Sequence, residues 1–364
     1  PASVLARAPP PGRGFAPSPP GTCSAYVPAH GSVLDRFAWL CDFFVRNGFV
    51  VVADYQLNTD ASALEDAGKW VGRWAALARK LVAAYPATAG RVVLDIMNEP
   101  DCVGMGWQAR DGKPAAGDLY LAALDAVFGV WDGFVALVEG CGQPGLARNW
   151  GDGFATDPSV LASRRLSDPR PFLDALVGRR YVGQVALAPH VYPPSISQAT
   201  DEASGPGLWW RLSTSFGYLN KAGYKGHRFP IILGETGSAF ADDRDLAPQL
   251  DLMKWAMLRG GGSDRRHNRV AGVFLWSWNG NAGSGHGLVD GGSWAALDHT
   301  KVAFAASYGA VPWYARAAPG LLRRVATRHT WQDEEEGEGG AQTCPVCPAC
   351  GGSGNATAAA GDDD

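Results

Sequence analysis

The chain has 364 residues, 46% hydrophobic and 19% charged, with 32 basic against 36 acidic side chains and a net charge of −4. Such a composition can bury a core, which excludes disorder throughout. The balanced charge, with no basic stripe, argues against a nucleic-acid partner, and no apolar run reaches the ~18–20 residues of a membrane helix.

Residues 1–32 open with eight prolines in the first 28 positions, among them Pro9-Pro10-Pro11 and Pro19-Pro20, and read as an extended linker or a disordered segment. A helical pattern follows from Val33 to Arg46, then an apolar run from Phe49 to Ala53 that reads as a strand. Trp70, Trp74, Leu77 and Leu81 recur at helical spacing. Further strands are expected at Val92 to Met97, Phe134 to Glu139, Val185 to Ala188, Ile231 to Leu233 and Val273 to Trp278. Helices are expected between them near Leu119 to Phe128, Leu208 to Leu219 and Leu246 to Leu258. The strands are short, β-branched or aromatic, and apolar on both faces, as parallel strands covered on both sides are. Repeated strand–helix units without hairpin signals predict an α/β fold, a barrel or a doubly wound sheet. No Gly-rich phosphate loop follows the first strand, which disfavours a dinucleotide-binding sheet.

The chemistry lies just past the strands. Val92 to Met97 runs into Asn98-Glu99-Pro100, and Ile231 to Leu233 into Gly234-Glu235-Thr236-Gly237. Val185 to Ala188 leads to Pro189-His190-Val191-Tyr192, and Val273 to Leu275 to Trp276-Ser277-Trp278-Asn279. In a barrel the C-terminal strand ends share one face, so two carboxylates, a His, a Tyr and two Trp converge there. A carboxylic acid to protonate a leaving oxygen, a carboxylate opposite and aromatics to hold a ring are what glycoside hydrolysis needs. The 14 tryptophans suit sugar stacking as well as core packing.

In this order the motifs resemble glycoside hydrolase family 5, the cellulase family, from about Val33 to Tyr314. Val138-Glu139-Gly140, Asn149-Trp150-Gly151 and Gly287 to Asp290 leading to Trp294 are further matches. The resemblance implies a (β/α)8 TIM barrel with its catalytic glutamates after strands four and seven, acting without cofactor or metal. It implies that Glu99 is the acid/base and Glu235 the nucleophile, that Asn98 binds the neighbouring sugar hydroxyl, and that His190 and Tyr192 aim Glu235 and keep it ionised. Trp276 would be the platform under the sugar, with Trp278 and Gln56 as further contacts. Glu139 is read as structural support. Trp150, Trp209, Trp210 and Trp294 fit the cleft or the core equally.

Two departures stand out. Gln56 occupies the position after Ala53-Asp54-Tyr55 where the family usually has a His, and no counterpart of the Arg after its second strand is found. The helix at Val33 resembles the one before strand three, and two strand–helix units need on the order of 60 residues. A barrel lacking its first two units in this chain is therefore expected, with poor solubility and low activity as consequences.

The tail from Gln332 to Asp364 is acidic and Gly-rich, and carries Cys344, Cys347 and Cys350 without a fourth metal ligand nearby. Asn355-Ala356-Thr357 is a glycosylation acceptor only if the chain is exported. The sequence thus predicts a catalytic barrel at 33–331 between two disordered ends: a secreted, monomeric β-1,4-glucanase with no nucleic-acid or membrane partner. A mannanase, another β-glucan or glycolipid hydrolase, and a silent carbohydrate-binding barrel are the alternatives.

Overall fold

The computed structural model describes residues 31–57, 62–144, 146, 150–197, 204–239, 244–258, 269–278, 286–289, 296–299 and 301–302. The Pro-rich start, Asn149, Asn279, Asp290, Trp294 and the Cys-bearing tail lie outside the described residues.

Six strands are described: β1 (Val51–Gln56), β2 (Val92–Asn98), β3 (Val135–Val138), β4 (Val185–Leu187), β5 (Ile232–Thr236) and β6 (Gly272–Leu275). The first four form a parallel sheet in chain order, and β5 pairs in parallel with β6. Parallel bridges from Leu187 to Ile231 and from His190 to Glu235 join the two into one arc. Each expected strand is present. The first begins two residues late because Phe49 still donates its N–H to the Phe44 carbonyl, in the turn closing the preceding helix.

That helix, α1 (Val33–Arg46), starts at a reciprocal cap: Ser32 Oγ accepts from the Asp35 N–H and the Asp35 carboxylate accepts from the Ser32 N–H. Gly48, at φ +92°, turns the chain out of the helix toward β1. In α2 (Ala67–Ala84), Trp70, Trp74, Leu77 and Leu81 are buried, as their spacing predicts. Helices α3 (Ala116–Phe128), α4 (Arg170–Val177), α5 (Gly205–Leu212) and α6 (Leu246–Met257) are the other helices of eight residues or more among the described residues. The helix expected over Leu208 to Leu219 is interrupted: α5 passes into a π-turn at Ser213–Gly217 before one more helical turn. Ser213 Oγ there accepts from Trp255 Nε1, and Ser215 donates to the Asp152 carbonyl.

Strand alternation sorts the core into two layers. Ala53, Leu94, Ala136, Val138, Leu187 and Leu233 pack outward with the helices. Leu137, Ala186 and Ala188, with Val52, Val93 and Ile232, form the small inner cluster. Continuing the inner alternation toward the C-terminal strand ends gives Asp54 and Gln56, Asp95, Glu139 and His190. The apolar floor of the barrel interior therefore runs directly into a cluster of ionisable groups.

Candidate active site

Asp54 and Asp95 are register partners on β1 and β2. Above them β2 ends in Asn98 and runs into Glu99, β3 runs into Glu139, and His190 and Tyr192 follow β4. Glu235 lies in β5, where the register shifts between Leu233 and Thr236. A second shift between Asp54 and Gln56 marks the end of β1. Such irregularities re-aim side chains next to active sites.

Glu99 adopts a left-handed conformation (φ 45°, ψ 60°), uncommon for a residue with a side chain and held here by its surroundings. Its N–H donates to Glu139 Oε2 at 2.8 Å. Its Oε1 lies 2.9 Å from His190 Nδ1, and its Oε2 accepts from the Cys102 thiol at 3.1 Å. His190, 1% exposed, turns Nε2 toward Glu139 Oε1 at 3.1 Å and lies 3.6 Å from Glu235 Oε2 through Nδ1. Tyr192 donates its hydroxyl proton to Glu235 Oε2 at 2.5 Å.

Glu99, His190 and Glu235 each place one oxygen or nitrogen within 4.8 Å of the other two. A cation could accept that spacing, yet both ring nitrogens of His190 already face carboxylates: Nδ1 is hydrogen-bonded to Glu99, and Glu235 lies just beyond hydrogen-bond reach. Asn98, 3% exposed, donates to Gln56 Oε1, and Gln56 donates to Asp54 Oδ2. Gln56 is thus tied into the polar network at the ends of β1 and β2.

Trp276 directly follows β6, with its N–H on the Thr236 carbonyl, and is 40% exposed; Trp278 is 54% exposed. Both leave a flat apolar face open to solvent at the same strand ends. Trp209 and Trp210 instead belong to α5: Trp209 donates to the Asp251 carbonyl and Trp210 stacks under the Arg164 guanidinium. They serve the helical layer. Trp150 is half-buried beside Gly151.

Burial dominates the electrostatics. It pushes Asp54 up to about 6 and Glu139 to about 7, and holds Asp95 well above the usual carboxylate range, with the charges of Glu139 and Asp54 adding to the effect. Glu235 is also raised by burial, against the opposing pull of His190 and Tyr192. The expectation that Tyr192 and His190 keep Glu235 ionised therefore meets a larger opposing effect. Burial alone would lower His190, but Glu139 and Glu235 outweigh it and hold the ring well above its ordinary value. Nearby, burial raises Asp101 to about 7 although Gly142 donates to it at 2.6 Å.

These shifts share one sign. A group with a raised folded-state value stabilises fully below its unfolded value, and that contribution is lost as pH rises through the folded one. For Asp54, Glu139 and Asp101 the window runs from about pH 4 to about pH 7, taking the lower bound from ordinary carboxylates. The melting temperature should therefore fall as pH rises from 5 to 8, and Asp95→Asn should flatten the slope. Scanning calorimetry across that range checks this; a melting temperature that rises toward pH 8 contradicts it.

Asp54, Asp95 and Cys102 join the site without a motif in the sequence that marks them. Two acids at matched ends of apolar runs, Val51-Val52-Ala53-Asp54 and Val92-Val93-Leu94-Asp95, were the available signal. Cys102 carried none, since its contact depends on the left-handed turn at Glu99.

No protein-family model and no curated protein matches the chain. Among solved structures, the catalytic domain of the major endoglucanase of Xanthomonas campestris pv. campestris is similar, with a TM-score of 0.53 at 22% identity over 77% of this chain and 75% of that one. The hyperthermophilic endocellulase of the archaeon Pyrococcus horikoshii gives 0.51 at 18% identity over 76% and 74%. A complex of that endocellulase with cellotetraose gives 0.52 at 17%, with the same coverage. At these identities the likeness is one of fold: the chain has the parallel (β/α) barrel architecture of cellulases.

Proposed function

We propose that this chain is a retaining β-glycosidase acting on β-1,4-glucan. The observation that carries the reading is the approach of Glu99 and Glu235, whose carboxylates bring oxygens within 4.8 Å across His190 at the C-terminal strand ends. Retaining enzymes hold their carboxyl groups ~5–5.5 Å apart so that one can attack the anomeric carbon directly, and oxygens within 4.8 Å are compatible with that spacing. Proximity to cellulase structures in fold, one of them solved with cellotetraose, agrees with a glucan substrate.

In the first step Glu99 gives its proton to the glycosidic oxygen as the bond to the anomeric carbon breaks. A Glu235 oxygen bonds to that carbon from the opposite face, and the leaving sugar departs with a new hydroxyl. In the second step Glu99, now a carboxylate, takes a proton from water, whose oxygen displaces Glu235 and restores the anomeric configuration. Tyr192 and the His190 ring stabilise negative charge on Glu235 at the start and end of this cycle. Trp276 and Trp278 offer faces for sugar rings.

In this reading residues 33–331 form the catalytic unit between the flanks 1–32 and 332–364, and the protein works outside the cell as a monomer on a polymer too large to import. No described helix is long and apolar enough to cross a membrane. The same pair would cleave mannan, other β-glucans or glycolipids, so a substrate panel sets the sugar.

The test is release of reducing ends from a soluble cellulose derivative by the wild type and by Glu99→Gln. The variant should lose about 10²–10⁴-fold in kcat and the alkaline limb of its pH profile. Binding of the glucan without turnover by the wild type would replace this reading with that of a silent carbohydrate-binding barrel.

A further inference from the structure

Glu139 follows β3 fully buried, and each of its carboxylate oxygens meets a different part of the candidate site. Oε2 accepts the Glu99 N–H at 2.8 Å, and Oε1 lies 3.1 Å from His190 Nε2. On the far side of the ring, Nδ1 faces Glu99 Oε1 at 2.9 Å and Glu235 Oε2 at 3.6 Å. The protein is built around this carboxylate. Gly151, at φ +76°, passes so close that a Cβ would stand 2.4 Å from Glu139 Oε2. The Tyr120 hydroxyl accepts the Glu139 N–H and donates to the Met97 carbonyl, tying the ends of β2 and β3 together.

A neutral imidazole donates at one nitrogen only; with Nε2–H toward Glu139 it would turn its Nδ1 lone pair toward the Glu235 carboxylate and, once Glu99 has given up its proton, toward that carboxylate too. With the ring 1% exposed, water does not relieve that clash. A doubly protonated ring resolves it but calls for a facing carboxylate that takes no part in the reaction. Glu99 and Glu235 cannot serve, because each changes charge during the proposed cycle. Glu139 lies behind the ring, away from the exposed strand ends.

We propose that Glu139 is a positioning residue of this reaction: it fixes the Glu99 backbone and keeps the His190 imidazolium aimed, Nδ1–H forward, between Glu99 and Glu235. This rests on the glycosidase reading above. The charged and titratable groups around His190 are Asp54 from β1, Asp95 from β2, Glu99 just after it, Glu139 after β3, Glu235 from β5, and Tyr192 in its own segment. Among them Glu139 alone faces Nε2.

The experiment combines ¹⁵N NMR of the histidine side chains with kinetics on a soluble cellulose derivative. In the wild type at pH 7, both His190 nitrogens should show imidazolium shifts; a neutral ring there overturns the proposal without any variant. In Glu139→Gln one nitrogen should acquire the shift of a bare lone pair. Its kcat should fall on the order of 10²-fold while KM changes little, and its alkaline limb should move to lower pH. Glu139→Asp should recover part of both the nitrogen signal and kcat. An imidazolium or a kcat unchanged in Glu139→Gln overturns the assignment. A wild type without turnover on any β-glycan would instead refute the glycosidase reading, and the nitrogen shifts would still decide whether Glu139 holds the ring.

Discussion

Glu235→Ala should abolish hydrolysis, with kcat down on the order of 10⁴-fold or more, and sodium azide should restore turnover of an aryl β-glycoside. The alanine leaves a space against the anomeric carbon where the Glu235 oxygen stood, and a small anion can enter it. Attack from that face yields a glycosyl azide of inverted, α configuration, because the second displacement no longer occurs. The aryl leaving group matters: it departs without full protonation, so the measurement isolates the nucleophile from Glu99. A variant that hydrolyses at the wild-type rate, or an azide product of β configuration, removes Glu235 from the nucleophile's role.

The largest expected effect on stability lies away from the carboxylates. Arg211, on α5, meets Asp152 Oδ2 at 3.1 Å, and the two side chains are 2% and 0% exposed. Asp152 follows Gly151 in the loop after β3, so this pair fastens the strand-end loop that packs on Glu139 to the helical layer. Removing one member of a buried pair strands the other's charge, at a cost of about 3–5 kcal/mol. Arg211→Met, which keeps much of the volume, should therefore lower the melting temperature on the order of 10 °C. Adding Asp152→Asn should return much of the loss, since the double variant buries no unpaired charge. A single variant within a degree of wild type would show that Asp152 is neutralised by other means.

The architecture was legible because the strands are apolar on both faces. Val92-Val93-Leu94 and Val185-Ala186-Leu187 announce parallel strands, and the helix at Trp70 to Leu81 announces the layer that covers them. The convergence of Asn98, Glu99, His190, Tyr192, Glu235 and Trp276 was legible for the same reason: once the strands are parallel, their C-terminal ends must share a face. The connections between these groups were not. The left-handed turn at Glu99 occurs without a glycine, and it is this turn that delivers its N–H to Glu139 and its Oε2 to Cys102. Glu139 read as support from sequence because one acid after a strand looks like any other; its two contacts depend on the register of three strands. The π-turn at Ser213–Gly217 likewise follows from Trp255 and Asp152 packing against it, contacts some 40 to 60 residues distant in sequence.

The most direct test of the catalytic pair is to trap the covalent intermediate. A 2-deoxy-2-fluoro-β-glycoside with an activated leaving group slows both displacements, the second more than the first, so the glycosyl-enzyme accumulates. Intact-protein mass spectrometry should show one added fluoroglycosyl unit per chain, and peptide mapping should place it on Glu235. An adduct on a different side chain, or turnover without an adduct and with the α anomer as first product, would contradict a Glu99–Glu235 retaining pair.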